Sequence, residues 1–335
     1  MRDGWIRPED RLGARGRFPT GSSPDRSGLG AGAENKAKKH FGSKKHFGSS
    51  PWGKAQSGLE IWRNALDTMQ GSLLFLGTGT SMGVPTLGCD CAVCTSADPR
   101  DKRLRPSVMV RWHAPGNLTA PERVVVIDTG PDFREQILRS GVRRVDAVFY
   151  THSHADHILG LDDLRPLSFI ASREGGPIPL YVPAETRQTL ERIFDYTFSP
   201  QATYLNRARL QLVPLAETNS VYGVDFCRIP LMHGDLEIVG YRLGSAAYLT
   251  DVSAIPETSF PLLEGLDHLV VSALRHRPHP SHATVEQALG WAERIGARQT
   301  WLTHIAHELG HEQTSRTLPP GVALSHDGLS VPVTL

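Results

Sequence analysis

The chain reads as an α/β fold of four layers: two β-sheets face to face with helices on both outer sides, an αββα sandwich. Two observations predict it. Strand-length apolar runs come in two groups, one in each half of residues 72–335, with helical stretches between them. Residue types that hold metals or move protons recur just past the ends of those runs, where α/β folds place their chemistry. The length of 335 residues, at ~150 residues per domain, allows two ordinary domains or one large domain with a tail.

The elements follow in order. Leu73–Leu76 is a short buried-strand run ending in Gly-Thr-Gly-Thr, and Pro106–Trp112 and Arg123–Ile127 are further strands. Asp132–Arg139 reads as a helix and Ala147–Tyr150 as a strand. Ile178–Val182 is a strand leading into a helix over Ala184–Phe194. Leu210–Pro214, Asp225–Leu231, Ile238–Leu243 and Ala246–Thr250 are strand-like, as is Leu269–Ser272. Thr284–Ile295 is a strongly amphipathic helix, and Thr300–Thr303 is a strand end. Gly77–Gly79 lacks the Gly-Lys-Ser/Thr ending of a phosphate loop and is expected to form a tight turn at the site rim. Arg103 and Arg105 read equally as phosphate binders or as a solvated basic loop.

Residues 1–70 stand apart from the domain expected over 71–335. They hold 13 Lys and Arg against 7 Asp and Glu, whereas the rest holds 23 against 28. They are rich in Gly, Ser, Arg and Lys, and repeat Lys-Lys-His-Phe-Gly-Ser in tandem at 38–43 and 44–49. Outside a short piece at Leu59–Leu66 they show no helix or strand period. Burial then has little to set against the entropy of ordering them. The reading is a disordered basic tail, or upstream sequence translated from an early start codon. A nucleic-acid-binding arm is the sharper alternative.

The decisive segment is Thr151-His152-Ser153-His154-Ala155-Asp156-His157, directly after the strand Ala147–Tyr150. A tight turn lets the alternate residues His152 and His154 point the same way. Asp156 and His157 then begin a helix and address a neighbouring spot. One such turn can serve two metal ions ~3.5–4 Å apart. His233, Asp251 and His304 each follow a strand and extend the donor set.

A second cluster, Cys89-Asp90-Cys91-Ala92-Val93-Cys94, supplies three thiols. They are too close together to staple distant segments, and a structural zinc wants four tetrahedral ligands. Cys227 lies inside a strand and reads as a small buried residue. His307, three residues after His304, is the expected fourth ligand, with both histidines on one side of a short helix start. Thiol usage of this kind fits a reducing cytoplasm.

His-x-His-x-Asp-His followed by an isolated His, an Asp and a final His resembles the metallo-β-lactamase superfamily. Ile127-Asp128-Thr129-Gly130 resembles its Asp-x-Gly strand end. The resemblance covers roughly residues 72–335 and implies the αββα metallo-β-lactamase fold and a dinuclear metal hydrolase. It implies one metal on His152, His154 and His233, a second on Asp156, His157 and His304, and Asp251 bridging them. It implies a nucleophilic hydroxide between zinc or manganese ions, and Asp128 orienting a metal-binding histidine. Leu76-Gly77-Thr78-Gly79-Thr80-Ser81, the Cys cluster and His304-x-x-His307 together look like the PhnP-type phosphodiesterases. That branch implies a structural zinc on Cys89, Cys91, Cys94 and His307, and cyclic phosphodiester substrates. It aligns His282 with a histidine that protonates the leaving group or holds a phosphate oxygen; His276 and His279 lie close enough to compete.

Charge and hydropathy exclude other classes. The formal charge of +1 rules out an overall basic nucleic-acid coat. No apolar run reaches the ~18 residues of a membrane span, and no secretory signal is visible at the N-terminus. The expected partner is a small-molecule phosphodiester rather than nucleic acid or membrane, with a homodimer left open. Two rivals stand beside this reading. A tRNA 3′-processing endonuclease would share the ligands but would need an arm to grip tRNA and a positive surface, and the folded part is slightly acidic. A PqqB-like cofactor-biosynthesis protein would share the Cys cluster, but the intact histidine and aspartate set argues for a working dinuclear centre.

Overall fold

The computed structural model describes residues 69–114, 117 and 119–335. The tail expected over 1–70 lies, apart from its last two residues, outside the described residues.

Two seven-stranded mixed sheets form the middle of the sandwich. The first runs β14 (Ser330–Thr334), β1 (Gln70–Gly77), β2 (Ser107–Trp112), β3 (Arg123–Ile127), β4 (Ala147–Phe149), β5 (Ile178–Val182), β6 (Leu210–Pro214). The second runs β13 (Val322–Leu324), β12 (Gln299–Thr303), β11 (His268–Ser272), β10 (Ala246–Leu249), β9 (Leu236–Leu243), β8 (Val224–His233), β7 (Thr218–Val221). The helices are α1 (Phe133–Ser140), α2 (Ala155–Ile158), α3 (Arg165–Glu174), α4 (Ala184–Ile193), α5 (Asp195–Phe198), α6 (Val285–Ile295) and α7 (His311–Ser315). Among the described residues no helix is long and apolar enough to cross a membrane.

Strand alternation sorts the apolar residues into layers. Val108 and Val110 of β2, and Val125 and Ile127 of β3, face Phe226, Tyr241, Tyr248 and Val270 across the sheet–sheet interface. Their neighbours Met109, Val124 and Val126 point the other way, onto Phe133 and Ile137 of α1 and Leu190 of α4. On the second sheet Leu269 and Val271 face outward onto Val285 and Ala288 of α6. Period-two strands with both faces covered read as continuous apolar runs, and this is why β3 and β11 are so apolar. Phe149 stacks on Phe226 at 4.4 Å between ring centroids and on Tyr181 at 4.5 Å, which pins the two sheets together. Helix α6 starts with a capping box, Thr284 with Gln287, and stops at Gly296 with φ 69°.

The αββα sandwich predicted from the sequence is the fold observed. Most predicted elements appear with ends shifted by a few residues: β1 begins at Gln70, and β8 extends to His233. Six elements are additional to those predicted, two of them the short helices α5 and α7. β7 is a four-residue polar strand, and β13 has three residues. β14 contains Pro332, which an edge strand tolerates because its N–H is not needed by a further neighbour. Helix α3 carries Pro166 in its first turn and has only Ser168 fully buried, so its apolar stripe is faint.

Two local expectations are corrected. Gly77 and Gly79 do not form a positive-φ turn; they let two backbone segments cross. A Cβ on Gly77 would lie 2.0 Å from the Arg105 carbonyl oxygen, and one on Gly79 2.7 Å from that of Arg103. Arg103 is neither solvated nor free for substrate, and Arg105, partly exposed, is engaged by the protein. Arg103 is 1% exposed, pairs with Asp101 at 2.9 Å and donates to the Ala306 and Leu309 carbonyls. Arg105 donates to Asp132 and to the Ser81 carbonyl.

Candidate metal centre

Five strand ends deliver the site. β3 leads to Asp128, β4 to the turn His152–His154 and helix α2, β8 ends in His233, β10 leads to Asp251 and β12 to His304. Asp128, Asp251 and His304 have φ of 66°, 56° and 55°. These left-handed conformations turn each side chain off the sheet rim and are held by the surrounding structure, as is common at functional sites.

The ligand atoms fall into contiguous sets. Those of His152, His154 and His233 lie within 4.8 Å of one another, and so do those of Asp156, His157, Asp251 and His304. A third set, His233, Asp251 and His282, overlaps both of the others. The Asp251 carboxylate stands between the groups: its oxygens lie 3.1 Å from His157 Nε2 and from His304 Nε2, and 3.7 Å from His282 Nδ1. Asp156 and His157 do open a helix, α2. His304 and His307 do not: the backbone after β12 bends and bridges to Gly79, and the next helix, α7, starts only at His311. Both side chains still reach their clusters, because the φ of 55° at His304 does what the expected helix start would have done.

Hydrogen bonds decide which nitrogen of each histidine is free. Asp128 is fully buried and accepts from Thr151 N at 2.9 Å, Thr151 Oγ1 at 2.8 Å and His157 Nδ1 at 2.7 Å. Having given its proton to Asp128, the Thr151 hydroxyl accepts from His152 Nδ1 at 3.0 Å. His233 Nδ1 donates to the Ser281 carbonyl at 2.6 Å. In His157 and His233 the Nε2 lone pair is therefore left for the site, and in His152 it faces the site 3.0 Å from His154 Nδ1. Thr151 and Ser281 were not singled out from the sequence. A hydroxyl directly before the histidine run was the one available signal for Thr151, and nothing local marks a carbonyl such as that of Ser281.

These residues fit divalent cations. Asp156 Oδ2, His157 Nε2 and both His304 ring nitrogens are buried and make no well-formed hydrogen bond, although carboxylate oxygens of Asp251 crowd the two Nε2 atoms at 3.1 Å, an arrangement proteins rarely keep without a ligand. The convergent carboxylates also act on the histidines. Burial opposes protonation of His304, but Asp251 and Asp156 outweigh it and lift the ring to about 9. A cation would take over that neutralising role. His282 is pushed the other way, to about 3, by burial and then by neighbouring His304. It stands 4.5 Å from His233 and 4.7 Å from His304 between ring centroids. His279 is 4.9 Å from His282, whereas His276 pairs with Glu286 at the exposed surface.

The cysteine cluster forms a separate group. His307 Nδ1 lies 3.2, 3.6 and 3.5 Å from the Sγ atoms of Cys89, Cys91 and Cys94. A tetrahedron with Zn–S ≈ 2.3 Å and Zn–N ≈ 2.0–2.1 Å has N···S edges of ~3.6 Å, so the donor geometry suits zinc. The backbone N–H of Cys94 lowers the Cys91 thiol to about 7, while burial raises Cys94 to about 11.

Comparison with known proteins agrees with this architecture. The model of the β-lactamase superfamily domain matches residues 123–305. An octanoyltransferase of Porphyromonas gingivalis is 36% identical over 260 residues, 76% of this chain and 50% of that protein. The chain thus spans about half the length of this curated relative. Coenzyme PQQ synthesis protein B of Methylorubrum extorquens is 31% identical over 118 residues, 32% of this chain and 36% of that protein. Among solved structures, a diphosphatase of the PhnP family is 49% identical with a TM-score of 0.73, covering 80% of this chain and 99% of that one. Zinc-bound PqqB of Methylobacterium extorquens, at 21% identity and a TM-score of 0.60 over 78% of this chain and 99% of that one, shares the fold. The chain belongs to the metallo-β-lactamase superfamily, and within it to the PhnP-type branch.

Proposed function

We propose that the protein is a dinuclear metal-dependent hydrolase that cleaves a phosphodiester, a small cyclic one being the first substrate class to test. The observation that supports this most is the adjacency of two donor groups, His152, His154 and His233 beside Asp156, His157, Asp251 and His304, linked where Asp251 and His233 meet in the third group. The 49% identity to a PhnP-family diphosphatase supports phosphoryl chemistry and adds diphosphate esters to the substrates worth testing.

In this reading His152, His154 and His233 hold one ion, Asp156, His157 and His304 hold the other, and Asp251 serves both. Zinc or manganese ions suit such a mixed imidazole and carboxylate set. When bound, such ions acidify water at neutral pH and neutralise the charge of a phosphoryl group. The chain's own residues do the rest. Asp128 and Thr151 fix the rings of His157 and His152, and the Ser281 carbonyl fixes that of His233. His282 faces the same space with its Nδ1 unpartnered, placed to donate to a leaving-group or phosphate oxygen. Cys89, Cys91, Cys94 and His307 hold a third, structural zinc.

A second reading rests on the similarity to the octanoyltransferase: hydrolysis of an octanoyl ester or thioester by the same centre. One experiment separates the two. The metal-loaded protein is assayed on bis-p-nitrophenyl phosphate, 2′,3′-cyclic nucleotides, a ribosyl cyclic phosphate, a dinucleoside diphosphate, a tRNA precursor and an octanoyl thioester. Turnover of the cyclic diesters at well above the thioester rate is expected. Turnover of the thioester alone would overturn the phosphodiester proposal, and turnover of the tRNA precursor alone would restore the endonuclease.

A further inference from the structure

We infer that Asp327, outside the proposed ligand set, is a positioning residue for His304, acting through Thr78. The inference rests on the dinuclear reading. It starts from a buried charge that the metal chemistry does not use. The Asp327 side chain is 2% exposed. A carboxylate so placed needs strong partners, and it has three. Thr78 donates both its backbone N–H, at 2.9 Å, and its hydroxyl, at 2.8 Å, to Oδ1, while Leu104 N donates to Oδ2 at 2.9 Å. Arg139, half exposed, stands at 3.6 Å.

These bonds hold the crossing that the two glycines permit. Gly77 and Gly79 lie against the backbone of residues 103–105, and Gly79 N donates to the Leu104 carbonyl at 2.8 Å. Asp327 therefore ties together both segments of the crossing, residues 78 and 104. With Thr78 immobilised, its carbonyl accepts from Ile305 N at 2.8 Å, and Gly79 pairs with Ile305. Ile305 directly follows His304, the ligand whose φ is 55°. A non-glycine residue keeps such a conformation only where its neighbours leave no alternative. On the upstream side β12 enters as a paired strand; on the downstream side Arg103 holds the Ala306 and Leu309 carbonyls. The hydrogen bond on Ile305, the residue directly after His304, is the one that runs from Asp327 through Thr78, while Thr303 and Ala306 are fastened to Ala273 and Leu274.

The consequence is asymmetric. Loosening this restraint should weaken the ion held by Asp156, His157 and His304, and leave the His152, His154 and His233 side untouched. A residue that served only to stabilise the C-terminal strand would not discriminate between the two.

The test titrates the full chain with Mn²⁺ by calorimetry after chelation of loosely held ions, and follows Co²⁺ binding by its visible absorption. The wild type should bind two ions in this centre. Asp327→Asn keeps the shape but sets an amide where Leu104 N or Thr78 needs an acceptor. It should weaken one binding step at least tenfold and leave the other within twofold. Thr78→Val, which removes only the hydroxyl donor, should move the same step less while melting close to the wild type; if Asp327→Asn does not fold, this variant decides alone by whether one step weakens and the other stays within twofold. Arg139→Ala should leave both steps within twofold. Equal weakening of both steps, or no change in either, overturns the inference. A wild type that fails to take two ions overturns the dinuclear reading and the inference with it, and shows itself as a failure of the unmutated protein.

Discussion

In the proposed centre, single side chains fall into groups that would hold a metal, groups that would aim one, and a group that would face substrate. Asp156 belongs to the first. Its Oδ2 is buried without a well-formed hydrogen bond, and the residue lies on α2, outside both sheets. Asp156→Ala should therefore abolish turnover with little loss of fold. A kcat above a tenth of wild type, a barrier change under ~1.4 kcal/mol, would count against two-ion chemistry. His282 belongs to the last. His282→Ala should leave metal content unchanged. If the ring donates a proton to the leaving group, the loss should be ~10²–10⁴-fold on a diester with a poor leaving group. It should be far smaller on bis-p-nitrophenyl phosphate, whose phenolate departs without a proton. Burial holds the free ring near 3, so a neutral hydrogen bond to the phosphoryl oxygens is the competing role. That role predicts equal losses on both substrates.

The aiming residues set the limit of what the sequence shows. His152, His154, Asp156 and His157 are readable because their spacing is dense and follows a strand. Asp128 is readable through the resemblance of its Asp-x-Gly strand end to that of the superfamily. Thr151, Ser281 and Asp327 act through hydrogen bonds to residues 23, 48 and 249 positions away. No local pattern carries such information; only the folded rim does.

Among the elements, long apolar ones are legible and short or polar ones are not. β3, β11 and α6 follow from composition and period, whereas β7 and β13 exist because neighbouring strands offer edges to pair with. The segment after β12 shows the same limit, since its helix-like spacing yields to a bend fastened by Arg103 and Thr78. The helix that follows, α7, carries a titrating residue. His311 is 6% exposed with an unpartnered Nδ1, and burial and then Arg100 and Arg103 hold it down to about 4. The unfolded chain takes up this proton near 6.5 and the fold does not, so stability falls as pH drops from 6.5 towards 4. Asp327, lifted by burial to about 6, works in the opposite sense over the same window. Comparing variant with wild type isolates the histidine. Urea denaturation at pH 7 and pH 5 should show that His311→Gln removes ~1–3 kcal/mol of acid-side loss. An unchanged difference between the two pH values would mean that His311 is protonated in the fold.

At the scale of the whole molecule, the two metal groups sit on one continuous stretch of chain. His304 serves the proposed dinuclear centre and His307 the cysteine cluster, only three residues apart. Metal analysis should find about three ions per chain, one of them zinc resistant to chelation. Cys91→Ser should lose that zinc and cost folding stability more than chemistry, because affinity at a structural site is folding energy. A Cys91→Ser protein that retains all its zinc and its melting temperature would remove the structural site. The same reasoning bears on where the folded unit begins. Met69 packs against the inter-sheet core, its carbonyl accepts from Leu335 N at 2.8 Å, and its side chain approaches Gly223. The first and last strands β1 and β14 are thus joined at their ends from Met69 onward. The sequence before Met69 offers no sustained apolar period with which to dock on that core. A chain beginning at Met69 should melt at the temperature of the full chain and hydrolyse small phosphodiesters at the same rate. A lower melting temperature would mean that residues 1–68 pack on the domain. An unchanged melting temperature with slower turnover would instead give the basic segment a role at the site, and a loss confined to polyanionic substrates would identify it as the nucleic-acid arm.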